Sequence, residues 1–386
     1  MQMSLPQRSR WTRSVLHAVF ALTGVTHAMI GPLLPSLTRT FHLADKDSGL
    51  LLLAYFAGSS LGALVCRGNY VRVMAAGFAG MTLFSTAISV ASRPLLLPLY
   101  LLLGVCVGAA MSSVSLFAGR NFPATSASLL TLLNFTWSAG ALSAPLLASQ
   151  LLRYSSYRAA YAGLAALSFL AAMACGWMLT DATETAQGTI SSTRLGNAEF
   201  VVLFAVLAFL QVGMENTASV WLTTYVLRVS AAGVVKAAAS SSLFWLGFLG
   251  ARAFSAAILL RTRMDHVLRA AIVLALGASM LLISSRGLAV ASVAMVLLGA
   301  ALAPIYPLVV AASMARLRST SDARYVLAVA GVGGSILPWM TGWISTGTGS
   351  LRAGLLVVPV SLVLMLLGLR AVHGTQARIP LSSHER

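Results

Sequence analysis

The stretch Phe209-Leu-Gln-Val-Gly-Met-Glu-Asn-Thr-Ala-Ser-Val-Trp221 decides how this chain reads. It sets Glu215, with Asn216 beside it and Gln211 one helical turn earlier, inside an apolar run from about Phe200 to Tyr225. That run is long enough to cross a bilayer as a helix. An ionised carboxylate without a partner is costly there, so Glu215 must face a cavity, meet a partner or carry a proton.

The rest of the chain has the same character. Of 386 residues 58% are hydrophobic and only 9% charged, too little charge to cover a soluble domain of this size. Twenty-six Lys and Arg against nine Asp and Glu would suggest nucleic acid on a soluble protein. Here the bases are strung between apolar runs, where the positive-inside rule and anionic headgroups account for them, so the partner is the lipid bilayer and not nucleic acid. Cys66, Cys106 and Cys175 form no CxxC pair and read as small core-filling residues. The basic N-terminus, Arg8 to Arg13, leads into an apolar run too long for a signal peptide and interrupted by Pro32 and Pro35, and reads as an uncleaved first span.

Twelve spans are predicted, at about 14–36, 48–66, 72–92, 95–118, 126–151 and 158–179, then 200–227, 234–259, 266–285, 288–314, 323–345 and 352–370. The polar stretch Thr180–Asn197 divides them six and six. The expected architecture is an all-α membrane protein with an N-terminal bundle over 1–180, a cytoplasmic linker over 181–197 and a C-terminal bundle over 198–386. With both termini inside, sixteen bases fall on the inner side and nine on the outer, and Arg252 is left within a span. Both termini are therefore expected to be cytoplasmic, in a bacterial inner membrane.

The halves echo each other. Gly140-Ala-Leu-Ser-Ala-Pro145 matches Gly333-Gly-Ser-Ile-Leu-Pro338, Leu103-Gly104 matches Leu298-Gly299, and Leu61-Gly62-Ala63 matches Leu249-Gly250-Ala251. In the same register His27 falls beside Glu215 and Asn216. Two parallel halves of this kind point to alternating access around a site between them.

The chain resembles the major facilitator superfamily over nearly its whole length, and within it the fucose permease-type sugar porters. Val212-Gly-Met-Glu-Asn-Thr-Ala-Ser-Val-Trp-Leu-Thr-Thr-Tyr225, Gly299-Ala-Ala-Leu-Ala-Pro-Ile-Tyr-Pro307 and Gly331-Val-Gly-Gly-Ser-Ile-Leu-Pro-Trp-Met-Thr-Gly342 carry the likeness. In the superfamily's loop between spans two and three, here Gly62 to Arg72, Arg67 is kept but Cys66 stands where an aspartate belongs. The resemblance implies a monomeric transporter of a sugar or similar solute, with proton coupling through acids of the N-terminal half. Spans one to six hold no acid away from their ends, so the coupling role passes to Glu215.

A proton carrier needs a group whose pKa burial can move toward neutrality. Glu215 lies roughly 22 Å from the inner end of span seven, by helical rise alone. His27 should lie at similar depth, as a relay or as a polar contact between helices. Sugar sites join amides and hydroxyls to aromatic faces, which singles out Asn134, Trp137, Gln211, Asn216, Trp245, Tyr306 and Trp339, with Tyr55 and Gln150 behind them. Trp11, Trp177 and Trp221 suit interface anchors. Arg252 is expected to snorkel toward the inner end, or else to make a gating contact between helices, and Arg67 to be gating or structural. No HExxH, Gly-x-Ser-x-Gly or paired intramembrane aspartates occur, so neither an enzyme nor a metal site is expected. The leading expectation is proton-coupled transport of a monosaccharide, without cofactor and with sodium as the alternative to the proton. A proton-driven exporter of amphipathic compounds and an uncoupled uniporter are the alternatives.

Overall fold

Among the described residues twelve helical spans, each long and apolar enough to cross a membrane, carry the chain back and forth. The computed structural model describes residues 5–179, 198–259, 261–314 and 320–376. The expected linker, 181–197, lies outside the described residues. Spans one to six are Arg10–Phe41, Asp45–Val65, Tyr70–Val90, Arg93–Asn121, Pro123–Tyr154 and Tyr157–Met178. Spans seven to twelve are Glu199–Val229, Val234–Phe254, Met264–Ser284, Leu288–Ala312, Tyr325–Thr348 and Leu351–Arg370. Among the described residues every regular element is helical.

These helices form because a bilayer-length apolar run can satisfy its backbone only within itself. Their ends are set locally. Asp47 accepts the Ala44 N–H at 3.1 Å at the start of span two, and Asn69 accepts the Arg72 N–H at 2.9 Å at the start of span three. Span ten is broken between Leu302 and Ile305, around Pro304, and span twelve between Leu355 and Val357.

The packing is the same in both halves. Span one lies on five, two on four and three on six; in the second half seven lies on eleven, eight on ten and nine on twelve. Where the halves meet, two packs on eleven, five on eight and one on seven; exchanging the halves interchanges the first two contacts and maps the third onto itself. Of each span's most apolar window, 83% is buried in span one and 61% in span seven, against 33% in span three. Spans one and seven therefore form the centre. Val90, Leu170 and Trp177 are among the large apolar side chains left facing outward from peripheral spans, as a lipid-facing surface requires.

Candidate functional site

Span seven builds the site by repairing breaks in its neighbours. Pro338 has no N–H, which strips the Gly334 carbonyl of its helical donor, and Asn216 Nδ2 donates to that carbonyl at 3.1 Å. Trp221 Nε1 donates to the Pro338 carbonyl at 2.9 Å. Gln211 Nε2 donates at 3.2 Å to the carbonyl of Leu302, where span ten breaks. Tyr225 donates to the Leu282 and Ile283 carbonyls at the end of span nine. Glu215 stands apart from this series. An ionised carboxylate has no proton to offer a carbonyl, so it turns to a side-chain contact with Gln211 and to the space between the halves.

That space is a cavity of about 260 Å³. The N-terminal half contributes His27, Ser59, Ser60, Asn134 and Trp137 to its wall, with Phe56 and Met111; the C-terminal half contributes Glu215, Asn216, Arg252, Tyr306 and Gly331. His27 sits in an aromatic frame, its ring centroid 5.2 Å from that of Trp137 and 5.3 Å from that of Phe56, and it reaches Asn216 across the interface. Trp137 Nε1 and His27 Nδ1 are buried without a protein partner.

Arg252 does not snorkel to the inner end. Its Nη1 crosses to the N-terminal half, donating to Ser138 Oγ at 2.8 Å and more weakly to the Asn134 carbonyl at 3.4 Å, and its guanidinium lies 4.5 Å from the Phe248 ring centroid. The aromatic face and the Ser138 hydroxyl hold the head group in the cavity wall, which makes the interior position affordable. Glu215 and Arg252 attract one another, and Tyr306 lies within the field of both. The pair does not close to ion-pair distance, unlike Arg93–Asp47 and Arg228–Asp45.

Of the residues expected to bind solute, Asn134, Trp137, Asn216 and Tyr306 lie in the cavity wall. Trp245 is one layer back, edge-on to Trp137 at 5.6 Å. Gln211 is fully buried against the break in span ten. Trp339 lies toward the far end of span eleven, its backbone against Gly49, away from the cavity. Arg67 is exposed after span two and Gln150 near the end of span five, both outside the site. Trp221 corrects the expectation of an interface anchor: it is fully buried, with its indole N–H donating to the Pro338 carbonyl. The three cysteines are free thiols. Among the described residues no three His, Cys, Asp or Glu side chains cluster as a metal site would need.

The cavity is shut on the face opposite the termini. There Arg228 of span seven holds Asp45 of span two, Ser345 of span eleven donates to Asp45 as well, and Thr346 Oγ1 accepts the Lys46 N–H at 2.8 Å. Gly31 of span one meets the backbone of Ser219 and Val220 of span seven on the same side. Asp45 reads in the sequence only as an acid at a membrane edge. Its partners are 183 and 300 residues away, and no local pattern announces them.

A family model described as Major Facilitator Superfamily matches residues 16–329. A search of curated protein sequences finds no match. Among solved structures the chain is similar to a bacterial homologue of the human lysosomal transporter Spinster in an inward-facing, occupied conformation. The TM-score is 0.74 at 15% identity, over 95% of this chain and 98% of that one. It is similar to the transporter FucP in an outward conformation, with TM-score 0.63 at 18% identity over 93% and 98%. It is also similar to the nucleoside transporter NupG, with TM-score 0.78 at 12% identity over 93% and 99%. At these identities the likeness is one of fold.

Proposed function

The chain belongs to the Major Facilitator Superfamily, and on that premise we propose that this multi-pass membrane transporter moves a small polar solute together with a proton carried by Glu215. One observation carries the reading. Glu215 is the acidic side chain of the cavity wall, it lies at the seam between the halves, and no base holds it at ion-pair distance. A carboxyl so placed can take a proton when the cavity faces one side and release it on the other.

The cavity volume of about 260 Å³ suits a small cargo; pockets for drug-sized ligands span about 300–1,000 Å³. The Asn134 amide and the Trp137 ring, one turn apart on span five, supply the hydrogen bond and the stacking face that a monosaccharide uses. A monosaccharide or a solute of that size is therefore the first cargo class to test. Relatives of this fold differ in cargo: one is described as a fucose:proton symporter and another as a nucleoside transporter. The proposed setting is a bacterial inner membrane with both termini cytoplasmic, the protein acting as a monomer.

The test is transport in proteoliposomes, with an acid exterior and a solute chosen by thermal-shift screening. Wild type should accumulate solute above equilibrium. Glu215→Gln should retain exchange of labelled for unlabelled solute and lose accumulation. Normal accumulation by Glu215→Gln would remove the coupling role.

A further inference from the structure

Arg252 has donors to spare. Its Nη1 alone takes both protein acceptors, the Ser138 hydroxyl and the Asn134 carbonyl. A guanidinium carries five N–H donors in a rigid fork, so those of Nε and Nη2 remain in a residue that lines the cavity. Such a fork matches the two oxygens of a carboxylate. Glu215 cannot take that place while it stays beyond ion-pair distance.

We propose that the cargo bears a carboxylate, which docks on the free edge of Arg252 while Glu215 is protonated. This rests on Glu215 as the proton carrier. With Glu215 ionised, the two side chains neutralise one another and an entering anion meets a repelling carboxylate. With Glu215 protonated, the wall carries the single positive charge of Arg252, and one anion restores neutrality. Proton and cargo then bind together and cross without net charge. The other titratable groups facing Glu215, among the described residues, are His27 from span one, Arg252 from span eight and Tyr306 from span ten. Span eleven presents Gly333, Gly334 and Leu337 to span seven, and span twelve meets it at Leu203 and Leu207. The uncharged end of the cargo lies toward the N-terminal half, where Trp137 and His27 line the wall.

The experiment uses purified full-length protein and three matched pairs of probes: glucuronate and glucose, lactate and propane-1,2-diol, nicotinate and nicotinamide. Melting temperature is followed with each at pH 6 and pH 8. At least one acid should raise it, more at pH 6, while its neutral partner does not. Arg252→Gln should weaken that acid's binding by roughly 30-fold or more, the lower end for losing one partner of a buried charge pair. Arg252→Lys, which keeps the cation without the fork, should retain part of the shift and guards against a variant that merely misfolds. Glu215→Gln should keep acid binding and lose its pH dependence. Equal shifts from neutral partners, an acid shift that survives Arg252→Gln, or no shift from any acid would overturn the proposal. Neutral solutes that bind and are still accumulated through Glu215 would remove the carboxylate and leave proton coupling standing. Acids that bind through Arg252 without pH-driven accumulation would remove coupling alone.

Discussion

Arg228 grips Asp45 with both terminal nitrogens, Nη1 on Oδ2 at 2.7 Å and Nη2 on Oδ1 at 2.6 Å, and so ties span seven to span two. The Asp45 side chain is only 10% exposed while that of Arg228 is 41% exposed, so the pair is half-buried, shielded on the carboxylate side and open to solvent on the guanidinium side. Ser345 adds a donor from span eleven, so one carboxylate joins three helices of both halves. Any state that opens this face must break all of these bonds at once. The seal therefore biases the protein toward the state closed on this side.

Asp45→Asn should release that bias. Charge-assisted hydrogen bonds contribute roughly 1.5–3 kcal/mol each, and about 1.4 kcal/mol already changes a population ratio tenfold. Spin labels at the exposed positions Tyr154 and Gly347, on a background without the native cysteines, should report a larger fraction of long distances in Asp45→Asn than in wild type. Unchanged distance distributions would show that the latch does not set the equilibrium.

A second prediction concerns Asn216 and Pro338. The Gly334 carbonyl is orphaned by the proline and rescued by the Asn216 amide. Asn216→Val should lower the apparent melting temperature, since leaving a buried carbonyl unpaired costs about 1–3 kcal/mol. Pro338→Ala restores an N–H inside the helix, so Asn216→Val should be milder in that background. The two changes together should fall short of the sum of their separate effects. Strict additivity in thermal unfolding would refute the repair role and return Asn216 to the cavity alone.

The sequence made the twelve spans and the six-and-six division legible because apolar runs of bilayer length carry their own signal. It marked Glu215 for the same reason: an acid in such a run has few places to go. It ranked Gln211 with the binding residues because an amide's chemistry is the same whether it meets a solute or the freed Leu302 carbonyl. Trp221 reads as an interface anchor because an indole at a span's outer third serves equally at an interface or against a neighbouring helix, where the structure places it. Arg252 could not be placed from its distance to the span's end, since Ser138, which draws it inward, belongs to another half of the molecule. The register of spans two and eight was off by one. Leu61-Gly62-Ala63 matches Leu249-Gly250-Ala251 as letters, but the backbone approaches pair other residues. Gly58 meets the Leu101 carbonyl as Gly247 meets that of Val296, and Gly104 meets the Tyr55 carbonyl as Gly299 meets that of Phe244.

That structural register yields a third prediction. A Cβ at Gly299 would fall on the Phe244 carbonyl, and one at Gly104 on the Tyr55 carbonyl, so spans eight and ten, like two and four, must separate to admit a methyl group. Backbone cannot rotate aside as a side chain can, and overpacking of this kind costs about 1–3 kcal/mol. Gly250 has open space around its missing Cβ, so Gly250→Ala should bring only the helix-propensity gain of up to about 1 kcal/mol known from water-soluble helices. Gly104→Ala and Gly299→Ala should therefore lower the melting temperature of the purified protein, while Gly250→Ala leaves it level or raises it. If Gly250→Ala were as damaging as Gly299→Ala, the letter match would be the true register and the pseudo-symmetry read from these helix crossings would be wrong.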